Sequence, residues 1–396
     1  MEKLFELVPN VSEGRDRAII DRCAEAISQT SGARLLETDP SEDANRTVFT
    51  VLGTAEAIEE AALSLAKTAR ESIDMREHSG AHPRIGALDV CPVVPLKNAT
   101  MDDAVELARR IGERIGEEAG VAVYLYGEAA RDERRRRLAD VRKGEYETLE
   151  REISKPDRRP DYGPDRFDPK FGAVAVGARK LLLAFNVNLN ARKVAFARDI
   201  ALDVRERGRP ARREDRHSPL YSQRGPILRY RTGAYPCGQC GYVGRSIEQT
   251  IAHAREKHMV DLERALRLAG VDPNKPEGAA ARKPGSLKAT MALGWALPSR
   301  GVTQVSMNLL DLDVVSPALA METVRVKARD RGVVVTGAEI VGMVPRDVLT
   351  DVGRYYLRRQ GDRDEATDDE AIVVAVHSLG LNDLAPFLVE KKTFVY

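Results

Sequence analysis

The chain has 396 residues, enough for two or three domains of ordinary size. Its 62 Lys+Arg balance 61 Asp+Glu to a net +1, which taken whole excludes a polyanion binder or an acidic tail protein. Hydrophobic residues at 43% supply real cores, no apolar run reaches the length of a membrane span, the N-terminus has no signal-peptide core, and four cysteines make no disulfide scaffold; a soluble, cytoplasmic protein is expected.

In chain order, Leu4 to Val11 reads as a strand ending at Pro9, and Ser12 as the cap of a helix with Ile19, Ile20, Cys23, Ala26 and Ile27 at helical spacing, stopped by Gly32. Strands are predicted over Ala33 to Thr38 and Thr47 to Gly53, around an irregular segment from Asp39 to Arg46. A helix from Ala55 to Ile73 leads to a polar loop, Arg76 to Gly86, then a strand from Ala87 to Pro95. A helix from Met101 to Ala119 and a strand from Val121 to Gly127 follow. Five arginines between Arg131 and Arg137 read as a solvated helix face, and Pro156 to Gly172, rich in Pro, Asp and Gly, as a long ordered loop between two halves. The second half restarts with strand Leu181 to Asn188 and helix Arg192 to Arg207. It continues with helix Leu287 to Leu297, strand Thr303 to Asn308, helix Pro317 to Asp330 and strand Val333 to Ile340. Strands alternating with helices predict an α/β fold, an α+β sandwich with sheet on one side and helices on the other.

Between Arg209 and Gly285 the texture changes, with Pro, Arg and Gly interrupting any periodicity, so this stretch is expected to be an insertion in the second half. Inside it, Cys237 and Cys240 precede His253 and His258 in the pattern C-x2-C-x12-H-x4-H, which falls in the zinc-finger window. A CxxC turn sets two thiolates on one edge of a tetrahedron and a helix capped by Ser246 brings the histidines to the other. Four protein ligands leave no open position, so a structural Zn2+ is expected rather than a catalytic one. The insertion carries 15 Lys+Arg against 8 Asp+Glu and the remainder 47 against 53. Its basic surface leaves nucleic acid as the lesser partner expectation, and a zinc-finger binding protein on an enzyme scaffold as the rival functional class.

His82 stands in a Gly- and Pro-framed loop before a buried-looking strand, where a histidine can titrate near neutral pH and act as general base. Arg84, Asp39 and the Asn45-Arg46 pair add polar density, and spacing alone takes the reading as far as an anion-binding active site.

The segment Gly80-Ala-His82-Pro-Arg84-Ile-Gly86-Ala-Leu-Asp89-Val-Cys91-Pro92 resembles the signature of glutamate formimidoyltransferase, the transferase half of formimidoyltransferase-cyclodeaminase. The resemblance extends over Val8 to Gly14, Asn45 to Phe49, Val123 to Ala130, Gly144 to Tyr146 and Asp161 to Pro164. It resumes at Gly177 to Lys180, Leu183 to Leu189, Gln304 to Asn308 and Leu379 to Pro386, so it covers both halves in order. A chain without the cyclodeaminase half is expected. The resemblance implies two α/β subdomains whose facing sheets enclose a folate tunnel; with the insertion read above at 209–285, they are expected at 1–178 and at 179–208 with 286–396. It implies transfer of a formimidoyl group from N-formimidoyl-L-glutamate to N5 of tetrahydrofolate, in histidine breakdown and one-carbon metabolism, by a homodimer. On this likeness His82 is the catalytic base and Asp39 the carboxylate that orients it. The folate-binding stretch is Gly163, Pro164, Asp165, Arg166, Phe167, Asp168, Pro169, Lys170, Phe171 and Gly172, with Phe167 and Phe171 against a ring of the folate. Substrate carboxylates call for fork-like arginines, and Arg46, Arg84, Arg179 and Arg192 are the candidates, two of which are expected to touch ligand. Cys91 is expected to be buried and chemically idle. A related transferase with another one-carbon donor or a modified pterin is the enzymatic alternative.

Overall fold

In the computed structural model, which describes residues 2–42, 44–80, 82–297, 300–361 and 366–395, the first apolar run is broken rather than continuous. Val8-Pro9 divides β1 (Phe5–Leu7) from β2 (Asn10–Val11) because proline has no N–H to give the ladder. Both pieces still lie between the same neighbours. Ser12 does not cap the next helix: its hydroxyl donates to the Gly86 carbonyl, and Asp16 caps α1 (Arg17–Ser28) by accepting from the N–H groups of Ala18 and Ile19. Half of the segment expected to be irregular is strand, for β3 (Arg34–Ser41) and β4 (Arg46–Gly53) pair down to Ser41–Arg46. Asp43 of that segment and Ala81 of the 76–86 stretch lie outside the described residues.

α2 (Ala55–Ser72), β5 (Leu88–Pro95), α3 (Met101–Glu118) and β6 (Ala122–Gly127) fall where periodicity puts them. The arginine run is no helix face but a single 3-10 turn, Glu133–Arg135, in which Arg135 reaches Asp161 at 2.8 Å and lies over the Tyr124 ring. Short helices α4 (Leu138–Val141) and α5 (Glu145–Glu152) follow, and then the loop from Pro156 to Gly172. That loop does not separate the halves. It delivers β7 (Ala173–Ala178), a strand that enters the sheet in parallel between β5 and β6. Seven strands result, β3 and β4 at one edge and β6 at the other. One face buries Phe49, Val51, Leu65, Cys91, Val93 and Ile111 with α1, α2 and α3. The other carries Val90, Tyr124, Tyr126 and Ala175 under α4 and α5. This compact unit ends at Leu181.

The second unit, Leu182–Val395, is built on β8 (Leu183–Leu189). After it come α6 (Val194–Val204), then a stretch closed by β9 (Arg209–Pro210) and β12 (Arg282–Lys283), which pair with each other. Between them lie the hairpin β10 (Tyr235–Pro236) and β11 (Val243–Gly244), then α7 (Ile247–His258), capped by Ser246 as expected, and α8 (Leu262–Leu268). Residues 287–297, expected to be helical, form β13 (Thr290–Leu297) instead, all eight residues of it in register with β14 (Val302–Leu309). Ala and Leu favour a helix, but Met291, Leu293 and Trp295 alternate with smaller residues, and pairing decides the outcome. α9 (Pro317–Arg329) and β15 (Val335–Val341) complete an antiparallel sheet of order β13-β14-β8-β15, whose core includes Phe185, Val187, Ile200, Met307, Met321 and Val324. β16 (Val344–Pro345), α10 (Arg346–Gln360), α11 (Asp368–Leu379), α12 (Val389–Lys392) and β17 (Thr393–Phe394) finish the unit. Among the described residues no helix is long and apolar enough to cross a membrane.

Candidate active site

The site is assembled in the first unit by a fault in the sheet. Asn10 pairs with Val90 but Val11 pairs with Leu88, so Asp89 is an extra residue without a partner across the ladder. Its carboxylate is fully buried and accepts from the Ile85 N–H at 2.9 Å. It also accepts from Arg46 Nη1 at 2.5 Å and from Nε and Nη2 of Arg142. Burial alone would raise the Asp89 pKa; the two guanidinium groups outweigh it and hold the carboxyl below its ordinary value. Two arginines around one carboxylate, Arg46 buried and Arg142 partly so, leave an excess of positive charge, suited to an anionic substrate group. Arg46 is anchored further by donating to Asn10 Oδ1 at 2.9 Å.

Two histidines stand in the neighbouring loop, and their hydrogen bonds separate them. His78 Nε2 lies 2.8 Å from the Asn45 carbonyl oxygen, which can only accept, so Nε2 carries the proton. Its Nδ1 then accepts from Arg84 Nε at 3.2 Å, and both ring nitrogens are spent. His82 directs Nδ1 at the Pro83 carbonyl at 2.7 Å, so the proton sits on Nδ1 and the lone pair on Nε2. Burial, then the charge of Arg46, pushes the His82 pKa below its usual value against the pull of the Pro83 carbonyl. The ring is therefore neutral at pH 7, as a base must be.

Asn45 braces this loop from a left-handed backbone position, φ 47°. Its Oδ1 accepts from the Gly14 N–H at 3.0 Å and its Nδ2 donates to the Ser79 carbonyl at 3.1 Å. Gly14 packs its α-carbon against the Ser41 and Arg46 backbones, where a Cβ has no room. On the other side, Gly86 and Gly172 form a bridge with their backbones in contact, Ala87 N–H donates to Phe171 O at 2.7 Å, and Ala173 N–H to Ile85 O at 3.0 Å. The end of the 163–172 stretch is thus tied to the residues just after His82.

The other predicted residues fall in different places. Asp39 lies half-buried on β3 opposite Val48, on the sheet face that carries Arg46; the carboxylate whose charge reaches His82 is Asp89. Arg84 is spoken for, its two terminal nitrogens reaching the two Glu147 carboxylate oxygens at 2.6 and 2.8 Å. Arg179 donates to the Lys180 carbonyl and lies near the buried Glu6 and Tyr126. Arg192 is exposed in the second unit. Within 163–172, Asp165 and Arg166 are exposed, Asp168 caps the turn by accepting from Lys170 and Phe171 N–H, and Lys170 donates to the Glu71 carbonyl. Phe171 is wholly interior and offers only its backbone, whereas Phe167 is half-buried with its ring 5.5 Å from that of Tyr146. Cys91 is buried, its thiol pushed up to about 12, consistent with an idle residue. Arg142 and Asp89 escaped notice as site residues; the signal was a carboxylate in the middle of an apolar strand.

A cavity of about 500 Å³ opens beside the loop, lined by His78, Ser79, Gly80, Arg84, Gly144, Glu145 and Glu147. A larger one of about 650 Å³ lies where α1 and α2 meet and holds neither histidine nor arginine, so chemistry rather than volume locates the site.

Known proteins place the chain in a family. The formiminotransferase domain, N-terminal subdomain, matches residues 4–179, and the formiminotransferase domain matches residues 258–396. The chain is 37% identical over 396 residues to a formimidoyltransferase-cyclodeaminase of Gallus gallus, across 100% of this chain and 60% of that protein. It is 36% identical to the one of Sus scrofa with the same coverage, and thus spans 60% of the length of these relatives. It is also 33% identical over 358 residues to a glutamate formimidoyltransferase of Streptococcus pyogenes serotype M1, across 90% of this chain and 94% of that protein. With both domain matches falling on the two structural units and a full-length relative of this kind, the chain belongs to the formimidoyltransferase family.

Proposed function

We propose that the chain transfers the formimidoyl group of N-formimidoyl-L-glutamate to N5 of tetrahydrofolate, releasing glutamate, with His82 as the general base. The observation that carries this reading is the Nε2 lone pair of His82, which has no partner among the described residues, on a histidine kept neutral beside Arg46 and Arg142. The N5 lone pair attacks the formimidoyl carbon and a C–N bond forms. His82 Nε2 takes the N5 proton as that bond closes, which prevents simple reversal. The imidazolium then gives a proton to the glutamate nitrogen as its bond to carbon breaks, so the base is regenerated and no external proton is consumed. Pro83 holds Nδ1 throughout, the charge of Asp89 reaches the ring, and Asp39, on the sheet face that carries Arg46, is assigned a supporting share in balancing the imidazolium charge. Arg46 and Arg142 supply the positive charge for a substrate carboxylate. Residues 163–172 are assigned to the folate, with the ring contact falling to Phe167. A second copy of the chain is the partner in this reading, and no step calls for a metal.

A steady-state assay with formimidoylglutamate and tetrahydrofolate tests it, run beside 5-formyl-tetrahydrofolate as the rival donor. Formation of 5-formimidoyl-tetrahydrofolate is expected, with His82→Gln lowering kcat by about 10²–10⁴-fold while the fold stays intact. No turnover with formimidoylglutamate at any concentration overturns the proposal.

A further inference from the structure

The second unit contains a cluster that the transfer chemistry does not use. The tip of the β10–β11 hairpin carries Cys237 and Cys240, and α7 carries His253 and, as its last residue, His258. One ligand atom from each lies within 4.8 Å of all the others. Cys240 Sγ is 3.3 Å from Nε2 of His253 and 3.3 Å from Nε2 of His258. Metal–ligand bonds of about 2.0–2.3 Å in a tetrahedron require ligand–ligand edges of roughly 3.3–3.8 Å, so these spacings suit one ion at the centre. The Tyr242 ring stacks on His253 at 3.9 Å and 8°, which fixes the orientation of that imidazole.

We propose that Cys237, Cys240, His253 and His258 bind one zinc ion that clips the segment between β9 and β12 into a folded module. Two thiolates and two neutral imidazoles neutralise the dication, and a closed S2N2 set with no open position is a structural rather than a catalytic site. The segment needs such a clip. Its own buried core is small: Ala211, Tyr230, Tyr235, Cys237, Ile247, Ala254, Leu262, Leu266 and Ala281, with Cys237 itself among them. A core of that size does not hold a ββα arrangement by apolar burial alone. The base of the segment is held differently, by an ionic lock: buried Asp199 on α6 accepts from Arg209, from Arg331 and from the N–H groups of Tyr221 and Ser222. The lock fixes where the module begins; the metal folds what lies beyond. This proposal stands independently of the transferase reading.

The test uses the full chain, purified without chelator from zinc-replete cells. Elemental analysis is expected to give about one zinc per chain. Cobalt(II) added to metal-free protein is expected to produce the intense visible bands of a tetrahedral thiolate site, weakened in Cys240→Ser and in His258→Gln alike. Stripped protein is expected to be cut within 209–285 about tenfold faster than loaded protein under limited proteolysis, with zinc restoring protection. Two results overturn the proposal: metal-free protein with Cys237 and Cys240 joined as a disulfide or left as free thiols despite added zinc, or a bound ion whose removal leaves the segment equally protected.

Discussion

His78 and His82 are four residues apart in one polar loop, and what separates a structural from a catalytic imidazole here is the number of nitrogens left over. His78 has none; His82 has Nε2. Because burial and Arg46 lower the His82 pKa, kcat/KM is expected to fall on the acid side with a midpoint below 6.5, and to be level near neutrality. A pH profile with its acid midpoint above 6.5 contradicts that electrostatic account. A second buried group makes a prediction about stability. Glu6 is 4% exposed, and burial raises its pKa from 4.5 to about 7 despite the charge of Arg179. The folded state then holds a proton that the unfolded chain has already lost between those two values, so stability declines as pH rises from 4.5 to about 7 and stays reduced above. Glu6→Gln removes this liability: the variant is expected to gain roughly 1–3 kcal/mol over the parent at pH 8 and nothing at pH 4, in urea titrations at the two pH values.

At the level of elements, the site depends on the register shift at Asp89. Replacing Asp89 with Asn leaves the buried Arg46 and the partly buried Arg142 guanidinium groups facing a neutral amide, and a loss of about 3–5 kcal/mol in urea stability is expected. A loss under 1 kcal/mol would show that Arg46 and Arg142 find other partners. In the first unit α2, α3 and β5 were legible because each spells its period locally: α2 and α3 have their caps, Thr54 and Thr100, and β5 its apolar run. The bulge was not legible, because a register shift depends on the partner strand, and neither was β7, whose small apolar residues carry no alternation and gain their identity by insertion between β5 and β6. β13 was misread for a related reason, as its intrinsic preference and its pairing disagree. At the site, residue identity was visible in the sequence but commitment was not: Arg84 and Arg46 look alike on paper. Only the structure shows Arg84 spent on Glu147, and Arg46 buried on Asp89 beside His82.

For the whole molecule, the near-zero net charge conceals an uneven distribution, with the basic excess concentrated between residues 209 and 285. The backbone on either side of residues 231–278 also runs together. Arg229 bridges Ala280, Tyr230 N–H donates to the Ala279 carbonyl at 3.0 Å, and Ala281 N–H donates to Leu228 O at 2.9 Å. The chain therefore leaves and returns as an antiparallel pair, the geometry that a two-residue turn closes. Replacing residues 231–278 by Asn-Gly, with Tyr230→Thr to avoid exposing a buried ring, retains Tyr221, Ser222 and both arginines on Asp199. Because that lock and the β13-β14-β8-β15 sheet survive intact, the cost in unfolding free energy is expected to stay within about 1–2 kcal/mol, with bound zinc abolished outright. Formimidoyl transfer is expected to continue within a few-fold of the parent rate, since every group assigned to the chemistry lies in the first unit. Calorimetry, elemental analysis and the transfer assay on one deletion variant check all three outcomes. A variant that folds normally but turns over a hundredfold more slowly would place part of the substrate site in the deleted module, and the zinc would then serve catalysis indirectly by holding that part in place.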